Sequence, residues 1–384
     1  MDRTHTTHPA RPALTQLRLS AFRAHRGAAL PLGPVTLFAG PSGSGKSSAV
    51  QAYEALALLG GGAALGRAFP DPAGCVPDGA AADAQGRRGF RIGCTVDGPA
   101  GPVRLDLAVQ AEPEPRIVSE RLTDADGRIL LATAPHDPRR GTVRAEWLTA
   151  GPASMTREQL PDDRLGTALL PLRVAGRTDG QRRVLAAAEQ VVLALRSVFP
   201  CQPRPDRMRA PVEPGDGRLR RGCENLAEVL HRTRADCARR HARLAAAARA
   251  GCAGPVRDVG VERLADGRVR AVLDRGAGAS RHGTPLERLG DGELRYLALA
   301  LVLLTGPRVL AVDQAVEVPG ALQTLTVLAD GFDRDLDGRQ ARELVALAAL
   351  ICGEGHMRLV GTAGEAVAGA VRGREGVTVV DLGP

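Results

Sequence analysis

The stretch Gly40-Pro41-Ser42-Gly43-Ser44-Gly45-Lys46-Ser47 constrains the fold of this chain more than any other. An apolar run, Val35 to Ala39, leads into it, and from Ser47 to Leu59 apolar residues recur at helical spacing, so the order is strand, glycine loop, helix. Glycines let successive backbone N–H groups surround an anion, and a helix N-terminus adds its dipole to the same point. Of the 51 lysine and arginine residues, only Lys46 is a lysine, and it stands where such a loop needs a long cationic side chain. The expected nucleotide-binding residues are therefore Gly40, Pro41, Ser42, Gly43, Ser44, Gly45, Lys46, Ser47 and Ser48. Lys46 is expected to reach the β- and γ-phosphates, and Ser47 to place its hydroxyl on Mg²⁺. The competing reading, a chance glycine turn before a helix, leaves the strand-loop-helix context unexplained.

With 384 residues and 44% hydrophobic content, the chain can build a packed core without metal or disulfide staples. Its seven cysteines are odd in number and scattered, with no CxxC pair, which points to a reducing cytoplasm. The apolar run Leu297 to Leu304 is too short to cross a bilayer, and the polar N-terminus lacks the apolar core of a leader, so neither export nor membrane insertion is expected. A formal charge of +8 suits contact with nucleic-acid phosphates. Compositional drift is the alternative, because the arginines are spread along the chain and only 2% of residues are aromatic, leaving few rings to stack on bases.

Patterning divides the chain into a disordered tail over 1–13, an N-terminal half over 14–175, two lid helices over 176–250 and a C-terminal half over 251–384. A strand is expected at Leu14 to Leu19, a mobile Gly-, Ala- and Pro-rich loop over 60–90, and β-hairpins from Phe90 to about Trp147. Val184, Ala188, Val191, Leu195 and Val198 form one helical stripe, and Leu226, Leu230, Cys237 and Leu244 another. These are too short for long coiled-coil arms. Asn225, the only asparagine, is expected to cap the second helix reciprocally with Glu228. A hairpin is expected around Asp266-Gly267, with α/β patterning to the end.

Leu289-Gly290-Asp291-Gly292-Glu293 opens a strongly apolar helix, followed by a short apolar run, Arg308 to Val312, that ends in Asp313. Together with Phe22-Arg23 after the first strand, the glycine loop and Gly222-Cys223-Glu224-Asn225-Leu226, this order resembles the RecF, SMC and OLD-type branch of ABC ATPases, including its predicted AAA-family members. The resemblance runs from Leu14 to Val380. It implies an α/β fold: a P-loop ABC-type ATPase core with a flanking β-rich subdomain and an inserted helical lid. It also implies ATP and Mg²⁺ as cofactors, Ser47 and Asp313 as the metal-facing residues, and Lys46, Asp313 and Gln314 as the catalytic set. Gly290, Asp291, Gly292 and Glu293 would act in trans on the nucleotide of a second copy, giving an ATP-dependent homodimer. The implied roles lie in DNA repair, genome maintenance or defence, with DNA or a separate nuclease or effector protein as partner. The nuclease domain that OLD proteins append is not expected in this chain, and any nuclease would be a separate protein. A plain N-cap before a core helix is the other reading of the 289–293 stretch.

The chain departs from the family where the chemistry would sit. Gln314 follows Asp313 in place of the glutamate that polarises the attacking water, and a neutral amide cannot take a proton. Glu317, three residues further on, is a weaker candidate for the same role. Ala363 follows Thr362 where the family carries a histidine. The expected outcome is slow hydrolysis of ATP to ADP and phosphate, or none, in which case the chain is a nucleotide-sensing scaffold. A transporter subunit would need a clear glutamine loop, for which Gln85 and Gln110 are the candidates. Asp333-Arg334-Asp335-Leu336-Asp337-Gly338 imitates the start of an EF-hand loop, but Glu343 arrives one position early, so a helix-capping acidic turn is expected instead.

Overall fold

The computed structural model describes residues 11–150, 154–276, 283–306, 309–312, 319 and 323–383. Contacts divide the chain into two compact units. One comprises Met1–Gly33, Ser42–Val198 and Asp313–Thr324; the other comprises Pro34–Pro41, Phe199–Val312 and Leu325–Pro384. Strands and helices are numbered in chain order.

The first unit is built on an eight-stranded antiparallel sheet in the order β2-β1-β4-β5-β6-β7-β8-β9. The strands are β1 (Ala13–Phe22), β2 (His25–Pro31), β4 (Arg88–Asp97), β5 (Val103–Glu112), β6 (Arg116–Thr123), β7 (Ile129–Asp137), β8 (Thr142–Ala150) and β9 (Ser154–Pro161). The expected hairpins and the first strand thus join one sheet. Alternation places Val103, Leu105, Leu107 and Val109 on the buried face while Arg104 faces water. Helix α4 (Asp179–Arg196) lies across this sheet with Val184, Ala188, Val191 and Leu195 buried, and α1 (Lys46–Gly60) packs on α4. Gly60 permits the close approach, since a Cβ there would stand 2.4 Å from that of Leu195. Gln190 is buried on α4, where its amide accepts from Ala100 N and donates to the carbonyls of Val96 and Gly101, fixing the β4–β5 turn.

Residues 60–87, expected to be mobile, hold defined structure. They contain α2 (Leu65–Ala68) and a short 3₁₀ turn at Ala73–Cys75. Phe69, Cys75 and Val76 are buried, and Phe69 joins Phe22 and Phe90 in a cluster with centroids 4.8 to 6.5 Å apart. Three apolar anchors overcome the loop-forming composition. A second long-range tie is Glu120 on β6, 1% exposed, which accepts from the backbone N–H groups of Gly166 and Thr167 at 2.6 Å each and from the Thr167 hydroxyl. It caps α3 (Gly166–Arg173) from another part of the chain. Burial nevertheless pushes the Glu120 carboxyl above the usual carboxylate range.

The second unit holds a five-stranded sheet ordered β10-β14-β15-β3-β16, from β3 (Val35–Ala39), β10 (Val198–Pro200), β14 (Leu325–Ala329), β15 (Met357–Thr362) and β16 (Val377–Asp381). The β14, β15, β3 and β16 strands run parallel. Its helices are α5 (Pro205–Met208), α6 (Leu226–Asp236), α7 (Ala238–Gly251), α8 (Asp291–Leu304), α9 (Gly338–Gly353) and α10 (Glu365–Val371). A small sheet of β11 (Asp258–Arg263), β12 (Val269–Asp274) and β13 (Thr284–Pro285) forms the expected hairpin around Gly267. The two helical stripes expected to form one lid fall in different units: α4 covers the eight-stranded sheet, while α6 and α7 pack on β11, β12 and α8.

Two local expectations change. Asn225 precedes α6 without a side-chain cap bond. Its Oδ1 accepts from Arg220 N, and its Nδ2 donates to Arg218 O and Glu228 Oε2, while Glu228 Oε1 accepts from Gly215 N and Gly217 N. The pair braces the 215–220 loop. Of the strand expected at 308–312, Arg308 lies outside the described residues and Leu310 makes an isolated bridge with Leu219, while the buried sheet strand further on is β14. In the acidic turn, Asp337 caps α9 in a capping box with Gln340. Cys75, Cys94, Cys201, Cys223, Cys252 and Cys352 are buried free thiols, and Cys237 is partly exposed. Among the described residues no helix is long and apolar enough to cross a membrane.

Replacing Glu120 with Ala strands the Gly166 and Thr167 donors. We expect a loss of about 2–4 kcal/mol, about halved in Glu120→Gln, which keeps one acceptor; thermal denaturation measures both.

Candidate functional site

The glycine loop starts at the carboxyl end of β3, whose five residues are all buried. Gly40, Gly43 and Gly45 have φ of 139°, 86° and 89°, values that side chains disfavour, so the loop shape requires glycine at those positions. Nothing lies within 4 Å of a Cβ built on Gly43, so there the demand is purely conformational. Gly45 is doubly restricted, since its Cβ would fall 2.5 Å from His25 Nε2. His25, the first residue of β2, is 7% exposed and its Nε2 lies 3.0 Å from Gly45 O. Sequence reading assigned no histidine to a site; the signal available was its place just after Phe22-Arg23.

Helix α1 begins at Lys46, with no side-chain cap bond and no acidic residue in its first turn. The Ser44 hydroxyl is buried without a hydrogen-bond partner. A buried hydroxyl left unpaired costs about 1–3 kcal/mol. A helix start with no acidic residue in its first turn, three left-handed glycines and this orphaned hydroxyl fit a phosphate group.

At the second expected segment, Gly290 precedes α8, which is buried from Leu294 to Leu303. Asp291 pairs with Arg209 at 2.6 Å, and Glu293 accepts from Ala253 N at 2.9 Å. A Cβ on Gly292 would meet the Asp335 carbonyl at 2.2 Å. These residues therefore have packing and pairing roles within their own unit. Arg295, 5% exposed, donates to Pro203 O at 2.8 Å and Gly331 O at 2.9 Å, tying α8 to the turn after β14. Burial lowers its pKa from the ordinary arginine value.

Asp313, Gln314 and Glu317 lie outside the described residues. The acidic residue that follows a buried parallel strand in the structure is Asp330, after β14. Ala329 is in register with Gly361 and Gly361 with Leu37, so Asp330 after β14, Thr362 at the end of β15 and Gly40 after β3 lie at one edge of the five-stranded sheet. The carboxyl edge of a parallel sheet is where such folds bind ligands. Thr362 Oγ1 donates to Asp330 Oδ1 at 2.8 Å and accepts from Gly331 N at 2.7 Å. Ala363 is buried, with its N–H on Phe38 O at 3.0 Å. Sequence reading overlooked β14 although Leu325-Thr326-Val327-Leu328-Ala329-Asp330 carries the same apolar-run-then-Asp signal used for Asp313.

Of the glutamine-loop candidates, Gln110 is buried and donates to Glu114 O at 2.9 Å, while Gln85 is exposed. A cleft of about 460 Å³ on the eight-stranded sheet is lined by Arg87, Arg88, Arg91, Ala21 and Ala108, among others. Arg87 and Arg88 pair with Asp83 and Glu112.

No family model matches the chain, and a search of curated proteins found no match. Among solved structures, it is similar to the SmcHead bound to the C-winged helix domain of ScpA, at 12% identity over 91% of this chain and 90% of that one, with a TM-score of 0.46. It is also similar to an Smc head domain with an extended coiled coil bound to the C-terminal domain of ScpA derived from Pyrococcus furiosus, at 11% identity, 94% and 91% coverage and a TM-score of 0.42. A third is the SMC head domain from Thermotoga maritima, at 14%, 93%, 92% and 0.39.

Thr362→Val keeps the shape of the side chain but severs Asp330 and leaves Gly331 N–H unpaired. We expect a loss of about 1–3 kcal/mol, read as a lower urea midpoint at constant slope.

Proposed function

We propose that this protein is an ATP-binding switch of the ABC/SMC-like kind, in which residues Gly40 to Ser48 hold the nucleotide. The observation that carries this reading is the loop itself: left-handed glycines leading into a helix that begins at the only lysine, and the unpaired Ser44 hydroxyl. Lys46 would contact the β- and γ-phosphates and Ser47 the Mg²⁺. The metal supplies charge neutralisation of the phosphates when bound. Of the two candidate carboxylates, Asp313 and Asp330, we favour Asp330, which has the parallel-strand placement.

Hydrolysis is proposed to be slow. Neither acidic candidate is followed by a glutamate: Gln314 follows Asp313 and Gly331 follows Asp330, and Ala363 offers no polar side chain. Loss of a general base typically removes about 10² to 10⁴ in rate. ATP would then act chiefly as a ligand that closes a homodimer, with Gly290 to Glu293 contacting the nucleotide of the second copy. The acidic side chains of Asp291 and Glu293 are a cost to that contact unless their pairs with Arg209 and Ala253 N persist. The charge of +8 and the arginine-lined cleft support DNA as the partner; a separate nuclease or effector protein is the other. The seven free thiols agree with a cytoplasmic setting. The second reading, a nucleotide sensor without turnover, rests on Gln314, Gly331 and Ala363.

Fluorescent-ATP titration with light scattering tests the switch. We expect Lys46→Ala to weaken binding at least about a hundredfold and to abolish ATP-dependent dimers; unchanged oligomeric state on adding ATP to the natural protein sinks the dimer. Asp330→Asn should remove the Mg²⁺ dependence of binding while Asp313→Asn leaves it, and the reverse result restores Asp313. Single-turnover assays separate slow ATPase from sensor.

A further inference from the structure

The β1–β2 hairpin ends in a two-residue turn, Arg23-Ala24, between the paired residues Phe22 and His25. Its tip is firmly mounted. Phe22 is 1% exposed within the three-ring cluster, Arg23 takes a left-handed φ of 50°, and Arg23 N donates to Cys75 O at 3.0 Å. From this mount two side chains reach the start of α1: the Arg23 guanidinium donates to Gln51 Oε1, and His25 Nε2 meets Gly45 O.

From this geometry we infer that His25 is a positioning residue for the nucleotide loop, its Nε2–H fixing the orientation of the Gly45–Lys46 peptide; this rests on the nucleotide-binding reading of that loop. A carbonyl oxygen only accepts, so the ring nitrogen facing it must carry the proton. The same oxygen accepts the first helical bond, from Ala49 N at 3.0 Å. In a trans peptide the C=O and N–H of one unit point in opposite directions. Two donors holding the Gly45 oxygen therefore set the direction of the Lys46 N–H, turning it away from His25. Gly45 sits at φ 89°, and glycine enters positive φ about as readily as negative, so the bonds to its carbonyl oxygen are what select one orientation of this peptide. The ring also occupies the space a Cβ on Gly45 would need, making His25 and Gly45 a matched pair.

The test uses His25→Gln, His25→Asn and His25→Ala in the full chain. The terminal amide nitrogen of glutamine can take the place of Nε2, whereas that of asparagine is one bond too short. With thermal midpoints checked for each variant, we expect Asn and Ala to weaken fluorescent-ATP binding about five- to tenfold, the worth of one backbone hydrogen bond, and Gln to stay within about twofold of the natural protein. A packing role alone would make Gln and Asn equal, and that result overturns the inference. Nitrogen NMR of the nucleotide-free protein gives an independent readout. The Nε2–H form at His25, with faster exchange of the Ala49 amide in His25→Asn than in His25→Gln, supports the inference, and the Nδ1–H form overturns it. If the natural protein binds no ATP, the proposed function fails while the NMR arm still decides the role of His25.

Discussion

The arrangement of the second unit depends on the burial of β3 between two parallel neighbours. Both edges of this strand are occupied, by β15 and β16, and all five of its side chains are buried. A strand held on both sides cannot slip in register, because a one-residue shift would exchange its faces. Its end is therefore a fixed point, and the loop that begins there starts from a defined place and direction. The same register places Asp330 and Thr362 at the corresponding ends of β14 and β15. Gly361 is part of this constraint, since a Cβ there would lie 2.9 Å from Ala329 O and 3.2 Å from the Phe332 Cβ.

The sequence made some elements legible and others not, for physical reasons. β3, α1 and α8 could be read because each pairs a strong local pattern with a glycine-marked boundary. The hairpins of the eight-stranded sheet followed from period-two alternation and turn residues. β14 was missed because an earlier apolar run ending in Asp313 matched the same template, and a continuous apolar run says nothing about which run enters the sheet. Asn225 has the residue type and spacing of a helix cap, but its amide bonds the 215–220 loop; the choice between local and long-range partners depends on tertiary placement. The order in residues 60–87 was hidden by composition, because three anchors, Phe69, Cys75 and Val76, outweigh many small residues. His25 was illegible as a loop contact because the hydrogen bond joins segments 20 residues apart.

Polar side chains buried in this protein are mostly given to backbone geometry. Glu120 holds the start of α3, Gln190 the β4–β5 turn, Glu228 the 215–217 backbone, Arg295 the turn after β14, and Thr362 the Asp330-Gly331 step. Each satisfies backbone groups that would otherwise be stranded away from water, so these positions combine a packing role with a positional one.

The buried thiols give the molecule a built-in chemical record of its own unfolding. Burial pushes Cys94, Cys252 and Cys352 up to about 12, so in the native state they hold their protons and stay out of reach of alkylating reagents. Cys75 and Cys94 belong to the first unit, while Cys201, Cys223, Cys252 and Cys352 belong to the second, where the partly exposed Cys237 also lies. Which thiols become modified therefore tells which unit has opened, and the order of their appearance in a mass spectrum distinguishes a chain that loses its units one at a time from one that loses both together.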